Sequence, residues 1–249
     1  MATNAYTPYT PLDTPKEVAR DIWIVDGPEI RFGPPGFKLC HPTRMTVVRL
    51  PEGGLWLHSP TAPTELLLGS LKKIGSVRFL IAPNRFHYWW IPDWKTRFPE
   101  AVAWGPAGLQ RTAKRALPPL HPLSDAPAVE WASTLDQFLV RGNLLTEAVF
   151  FHRPARTLIL TDLIENFESS RLRSQSVRRL LLWTGVADQD GRRPLDMGLA
   201  FLFRRRALRA AVERMIEWSP ERVILAHGRW FSSAGADELR RVFRWVLQD

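Results

Sequence analysis

The sequence predicts an α/β protein of the four-layer αββα kind, with two mixed sheets face to face and helices on both outer faces, in a single domain spanning residues 1–249. Two observations carry this expectation. Strand-like runs come in two successive groups, each followed by helical segments, and such a succession buries the apolar faces best as two packed sheets covered by helices. The chain, 249 residues with 45% hydrophobic side chains, is long enough for one large core and shows no internal repeat of solenoid length.

The elements follow in order. After a Pro-rich lead, "IWIVDG" at 22–27 and the two halves of "MTVVRLPEGGLWLHSP" at 45–60 read as a β-meander, the halves joined by the turn Glu52-Gly53-Gly54. "TELLLGSLKKIG" at 64–75 has the apolar spacing of a short helix, and "SVRFLIAP" at 76–83 reads as a buried strand closed by Pro83. "PDWKTRFPEA" predicts a helix of at most two turns and "AVAWGP" a short strand. "LDQFLVRG" and "EAVFFHRPARTLILTD" predict the second group of strands, with a turn at Arg153-Pro154-Ala155.

Residues 166–218 read as a helical, Arg-rich excursion interrupted by the loop "GVADQDGRRPLDMG". Its clearest helix, "ALRAAVERMIEW", puts Leu208, Ala211, Val212, Met215 and Ile216 on one face, and Arg204, Arg205 and Arg209 toward solvent. The strand "RVILAH" and a C-terminal helix started by Ser232 or Ser233 complete the chain.

Composition narrows the chemistry. One cysteine, Cys40, excludes an internal disulfide and a thiolate metal cluster within the chain, so a metal here needs His and carboxylate. The absence of a span-length apolar stretch and of a signal-peptide pattern predicts a soluble, cytoplasmic protein. The formal charge of +9 is compatible with nucleic acid, an anionic membrane face or an anionic substrate. The arginines recur at helical spacing, however, which is the pattern of a solvated helix surface.

Three strand runs end in metal-ligand residues: "SVRFLIAP" leads to Asn84 and His87, "RTLILT" to Asp162, and "RVILA" to His227. The carboxyl ends of strands in α/β proteins form the crevice where sites are built, so residues far apart in sequence meet there. Two imidazoles and a carboxylate suit a transition metal ion, Zn, Fe or Mn, and leave positions open for water and substrate. Each of the three also has an ordinary structural explanation, as a hydrogen-bonded residue closing a strand.

The succession of meander, "LIAPNRFHYWWIPDWKTRFPEA", "GNLLTEAVFFHRPARTLILTD" and "VILAHG" resembles the metallo-β-lactamase superfamily over nearly the whole chain, most closely a subfamily known only as a domain of unknown function. The signature HxHxDH of that superfamily falls on Ala82, Asn84, Phe86 and His87; its Gly-His on Gly142-Asn143, its Gly-Asp on Thr161-Asp162, and its last Gly-His on Ala226-His227. The resemblance implies that the first metal site is gone, since Ala82, Asn84 and Asn143 replace its imidazoles. It implies that three of the four groups of the second survive, as His87, Asp162 and His227, with Phe86 replacing the fourth.

The activity so implied is a mononuclear metal-dependent hydrolase that cleaves an ester, lactone, amide or phosphoester of a small-molecule substrate through a metal-bound water. Asp162, His87 and His227 would be its catalytic centre, Asn84 and Asn143 would orient substrate or water, and Glu147 would serve as an outer base. The alternative is an inactive metallo-β-lactamase-like binding or scaffold protein, because a fold does not fix a function. Nucleic-acid binding has less support, since no base-stacking motif or zinc module accompanies the charge.

Of the remaining residues, Tyr88-Trp89-Trp90, Trp94 and Trp104 read mainly as core, with one or two available to an apolar pocket. His152 reads as structural at a hairpin turn, and His41 and His121, each before a Pro, as loop residues. His58 takes the place of a structural Asp of the superfamily.

Overall fold

The computed structural model describes residues 6–33, 39–188 and 194–248. The first sheet contains β1 (Lys16–Ala19), β2 (Ile22–Phe32), β3 (Leu39–Arg49), β4 (Gly54–His58), β5 (Ser76–Ile81), β6 (Val102–Gly105) and β7 (His121–Pro122), adjacent in that order. Its first four strands form an antiparallel meander, and from β4 onward the pairing is parallel. The crossovers carry α1 (Glu65–Leu71), α2 (Ile91–Arg97) and α3 (Leu109–Thr112).

The second sheet has the order β11-β10-β9-β8, from β8 (Leu135–Arg141), β9 (Thr146–His152), β10 (Thr157–Ile159) and β11 (Arg222–Ile224), with only β10 and β11 parallel. Between β10 and β11 lie α4 (Gln175–Thr184), α5 (Leu195–Ala200) and α6 (Arg205–Glu217); α7 (Gly235–Val242) and α8 (Arg244–Leu247) follow. This is the four-layer arrangement expected from the sequence.

Strand alternation divides the apolar residues among three layers of core, because successive side chains point to opposite faces. Ile22, Ile24, Trp56, Phe79, Ala148 and Phe150 meet between the sheets. Trp23, Val25, Leu55 and Leu57 face outward, against Leu67 and Leu71 of α1 and Ile91 and Trp94 of α2. On the other outer face Val149, Phe151 and Val223 pack against Leu208, Val212 and Met215 of α6 and Leu239 of α7. Truncating a ring such as Phe150 in the middle layer is worth about 3–5 kcal/mol.

Two helices carry the side-chain caps that local chemistry favours, and α7 departs from the cap expected for it. Thr64 caps α1 by accepting from Leu67 N at 3.3 Å, and Ser174 caps α4 by accepting from Val177 N at 3.4 Å. At α7 neither Ser232 nor Ser233 caps the helix: the N-cap position is Ala234. The reason is that main-chain carbonyls occupy the capping role, Glu221 O accepting from Gly235 N and Pro220 O from Ala236 N, both at 2.9 Å.

The Arg-rich span divides in two. α6 is itself an outer layer of the sandwich, with Leu208, Ala211, Val212 and Met215 buried. Arg204 and Arg205 are exposed, and Arg209 is half-buried in a pair with Glu213. α4, by contrast, packs with Phe167 and Leu172 around Tyr6, forming a satellite cluster that pins the N-terminal strand lead. Within the loop expected at 185–198, residues 189–193 lie outside the described residues, and α5 begins at Leu195.

Candidate metal centre

The strand ends do converge. His87 Nε2 lies 3.1 Å from Asp162 Oδ1, and His227 Nε2 lies 3.3 Å from each of them. Four ligands about 2.0–2.1 Å from a tetrahedral ion stand roughly 3.3–3.4 Å apart, so the triangle is the size that one ion needs, with the fourth corner open.

Each member is held from behind. His227 Nδ1 is 2.7 Å from the carbonyl of Pro42. A carbonyl only accepts, so Nδ1 carries a proton, and in the neutral ring Nε2 presents its lone pair to the centre. His87 Nδ1 contacts Ser59 Oγ at 2.6 Å, and Asn84 Nδ2 donates to Asp162 Oδ2 at 2.7 Å. Asn84 also organises its own turn, its Oδ1 accepting from Phe86 N and His87 N. Ser59 sits at φ 53°, a left-handed conformation that a serine adopts at a cost, just after the end of β4.

Beneath the triangle Glu147 is fully buried and accepts from Thr161 N, Asp162 N and Leu163 N at 2.8, 2.7 and 3.2 Å. Burial, reinforced by the Asp162 charge, raises its carboxyl to about 7. For Asp162, burial pushes the carboxyl up, but the two imidazoles outweigh it and hold the group well below the usual carboxylate range.

The loop bearing His227 is fastened by Arg44 of β3, whose Nη1 donates to Leu225 O at 2.9 Å and Gly228 O at 2.8 Å. Arg44 Nη2 is paired with buried Asp26 at 2.7 Å, and Lys16 pairs with the same carboxylate. Gly228 has φ +83°, and a Cβ there would lie 1.9 Å from Asn166 O, so only glycine fits after His227.

The other residues singled out in the sequence stand outside the triangle. Asn143 is exposed, and its Oδ1 accepts from Phe203 N at 3.3 Å. Ala82 is buried in the outer core, and Phe86 packs against the helices of the other outer face. His152 Nδ1 accepts from Ala155 N at the β9–β10 turn. His58 is stacked on Trp56 inside the sandwich, where burial takes it down to about 3. His41 and His121 are strand residues rather than loop residues, because β3 and β7 run through their His-Pro pairs. His41 lies edge-on to His227 at 5.5 Å between ring centroids and lines the cavity over the triangle; burial, then His227, lowers it to about 4.

That cavity has a volume of about 770 Å³ and opens between the turn after β5, the β8–β9 turn and α5. Ser59, Pro42, Arg44 and His41 carry no ligand-like pattern in the sequence and were not anticipated there. Only the pairing of a main-chain carbonyl or a hydroxyl with a known imidazole reveals them.

A two-sheet sandwich with its ligand-type residues at the strand ends is the metallo-β-lactamase fold. The structure of the DIM-1 metallo-β-lactamase superposes with TM-score 0.62 over 94% of this chain and 96% of that one, at 14% identity. FIM-1 from Pseudomonas aeruginosa, in its mono-zinc form, gives 0.61 over 94% and 95% at 15% identity. The rubredoxin oxygen:oxidoreductase of Desulfovibrio gigas gives 0.65 over 95% of this chain and 62% of that one at 11% identity, so the fold also serves a different reaction. Within this fold the chain belongs to the family described as "Domain of unknown function (DUF4336)", whose model matches residues 22–180. No curated protein matches the chain in sequence. Among the described residues no helix is long and apolar enough to cross a membrane.

Proposed function

We propose that the protein is a mononuclear metal-dependent hydrolase of a small molecule, with the ion held by His87, Asp162 and His227. The observation that carries this reading is the convergence of three ligand-type atoms. Nε2 of His87, Nε2 of His227 and Oδ1 of Asp162 stand 3.1–3.3 Å from one another, the spacing of groups around one ion, and each residue is anchored from behind by its other polar atom. A cation at the centre of the triangle would be held by all three while every hydrogen bond behind them is kept.

An ion there supplies a Lewis acid that polarises an ester, lactone, amide or phosphoester and brings the pKa of water toward neutrality. The chain does the rest. Pro42 and Ser59 fix the ring planes of the imidazoles, Asn84 holds Asp162 by its outer oxygen, and Glu147 locks the main chain of Thr161 to Leu163. Glu147 has no exposed surface and three main-chain N–H donors besides Asn84 Nδ2, which favours a positioning role over proton exchange with substrate.

Elemental analysis tests the reading. Purified or reconstituted protein is expected to carry close to one equivalent of Zn, Fe or Mn, and His227→Ala to carry little. Equal metal in the mutant would refute this ligand set, and none in either protein would refute the reading and leave a metal-free binding protein.

A further inference from the structure

We propose that the cavity above the triangle binds a long unbranched acyl chain, so that the scissile bond belongs to a fatty-acyl ester or related acyl compound. This substrate class rests on the hydrolase reading, whereas the chain site itself does not.

Three observations converge. The walls away from the triangle are mainly apolar: Phe86, Trp90, Leu145, Met197 and Ala200 line the cavity, and Arg85, Glu165, Thr43 and Thr61 are the polar residues among them. The apolar character continues into solvent. Eleven large apolar side chains stand exposed among the described residues, and four of them, Ile30, Trp89, Leu144 and Leu199, line this cavity at 37%, 49%, 60% and 61% exposure. Three more, Leu195, Leu202 and Phe203, lie within four residues of Leu199 on α5 and the turn after it, and on the proposal they extend the cavity outward as one apolar track.

Side chains so arranged are costly to leave in water and mark a ligand or partner surface. A compact substrate seated at the triangle would leave the outer half of the track bare, whereas an extended aliphatic chain covers both halves. The cavity volume, about 770 Å³, suits a ligand of that size. In the reaction, water adds to the acyl carbon and the C–O bond to the alcohol breaks. The products are the fatty acid and the alcohol, which takes a proton from the water.

Binding of straight-chain carboxylates, butyrate to dodecanoate, read by quenching of the tryptophan emission that includes Trp89 and Trp90, tests the site without relying on turnover. Affinity is expected to rise roughly fourfold per methylene until the track is filled. The rise should be shallower in Leu199→Ser and Trp89→Ser and unaltered in Val129→Ser, whose side chain is 87% exposed and does not line the cavity. Chain-length dependence in protein that binds no metal would sink the hydrolase and leave the chain site standing. Metal binding with affinity independent of chain length would overturn the chain site and spare the hydrolase. Loss of a dimer on Leu199→Ser, with no chain-length dependence, would assign the apolar track to a second copy and overturn the proposal as well.

Discussion

The two ends of the sandwich differ in a way that cavity size does not capture. At the amino ends of β5, β10 and β11 lies a cleft of about 1030 Å³, larger than the 770 Å³ cavity over the triangle, and lined by Arg20, Arg49, Arg156 and Arg222. There the charges have been answered. Arg49 donates to Asp21 at 2.6 and 2.8 Å, Arg156 to Ser219 O at 2.6 Å, and Arg222 to Glu221 at 3.1 Å. At the carboxyl ends, the smaller cavity holds two imidazoles and a carboxylate turned toward one point. A site is marked by ligand groups that converge, not by empty volume.

The sharpest way to break this contrast is through Arg44, which serves only the carboxyl end. Arg44→Ala leaves buried Asp26 to Lys16 alone and frees the two carbonyls that flank His227, a cost that Lys16 keeps toward the lower end of the about 3–5 kcal/mol of breaking a buried pair. Chemical denaturation should show a loss of that size, and Arg44→Lys should not restore it, because one ammonium cannot reproduce the fork.

A pH scan probes the other end. Burial lowers His152 to about 4, while an unfolded histidine titrates near 6.5. Its contribution is therefore complete above about pH 6.5 and is lost as pH falls toward 4, where the unfolded chain binds the proton first. Because the ring borders the open cleft, the loss is put at about 2 kcal/mol rather than the full shift. In His152→Asn, whose side-chain oxygen can still accept from Ala155 N, melting temperature should depend less on pH over that window.

Ser59→Gly separates site from fold at the carboxyl end. Glycine relieves the φ of 53° but deletes the hydroxyl behind His87, so stability should hold or rise while metal affinity drops about 10–100-fold. The smallest effect belongs to the amino end: Arg49→Ala removes a partly exposed pair with Asp21, worth about 0–1 kcal/mol, and should leave metal content unaltered. A large change in metal content there would show that the two ends are coupled.

How much of this was legible in the sequence follows from what each residue depends on. His87, Asp162 and His227 stand out because a buried strand that ends in a ligand-type residue breaks its own pattern. The sheets were legible through the alternation of residues such as Trp23 and Ile24. Ser59 and the Pro42 carbonyl were not, since a positive φ at serine and a main-chain oxygen leave no trace in residue type. Asn143 shows the opposite limit: its alignment with a family histidine located the turn after β8, but the turn itself presents the side chain to Phe203 N. The Arg-rich span read as one unit because the surface of α6 and that of a true excursion share the same spacing, and only packing against Val149 and Phe151 distinguishes them.

The triangle also straddles the seam between the sheets, with His87 following β5 and its two partners arriving from the other sheet 75 and 140 residues later. During synthesis that imidazole therefore has only Ser59 behind it, and neither ligand-type partner, until the far sheet has emerged and docked. On the metal reading, loading of an ion would be a late event, unlike that of small zinc modules that fold around their metal. Refolding rates should be indifferent to added ion, while the rate at which the sheets come apart should fall once it is bound, so an ion here acts as a clasp and not as a nucleus.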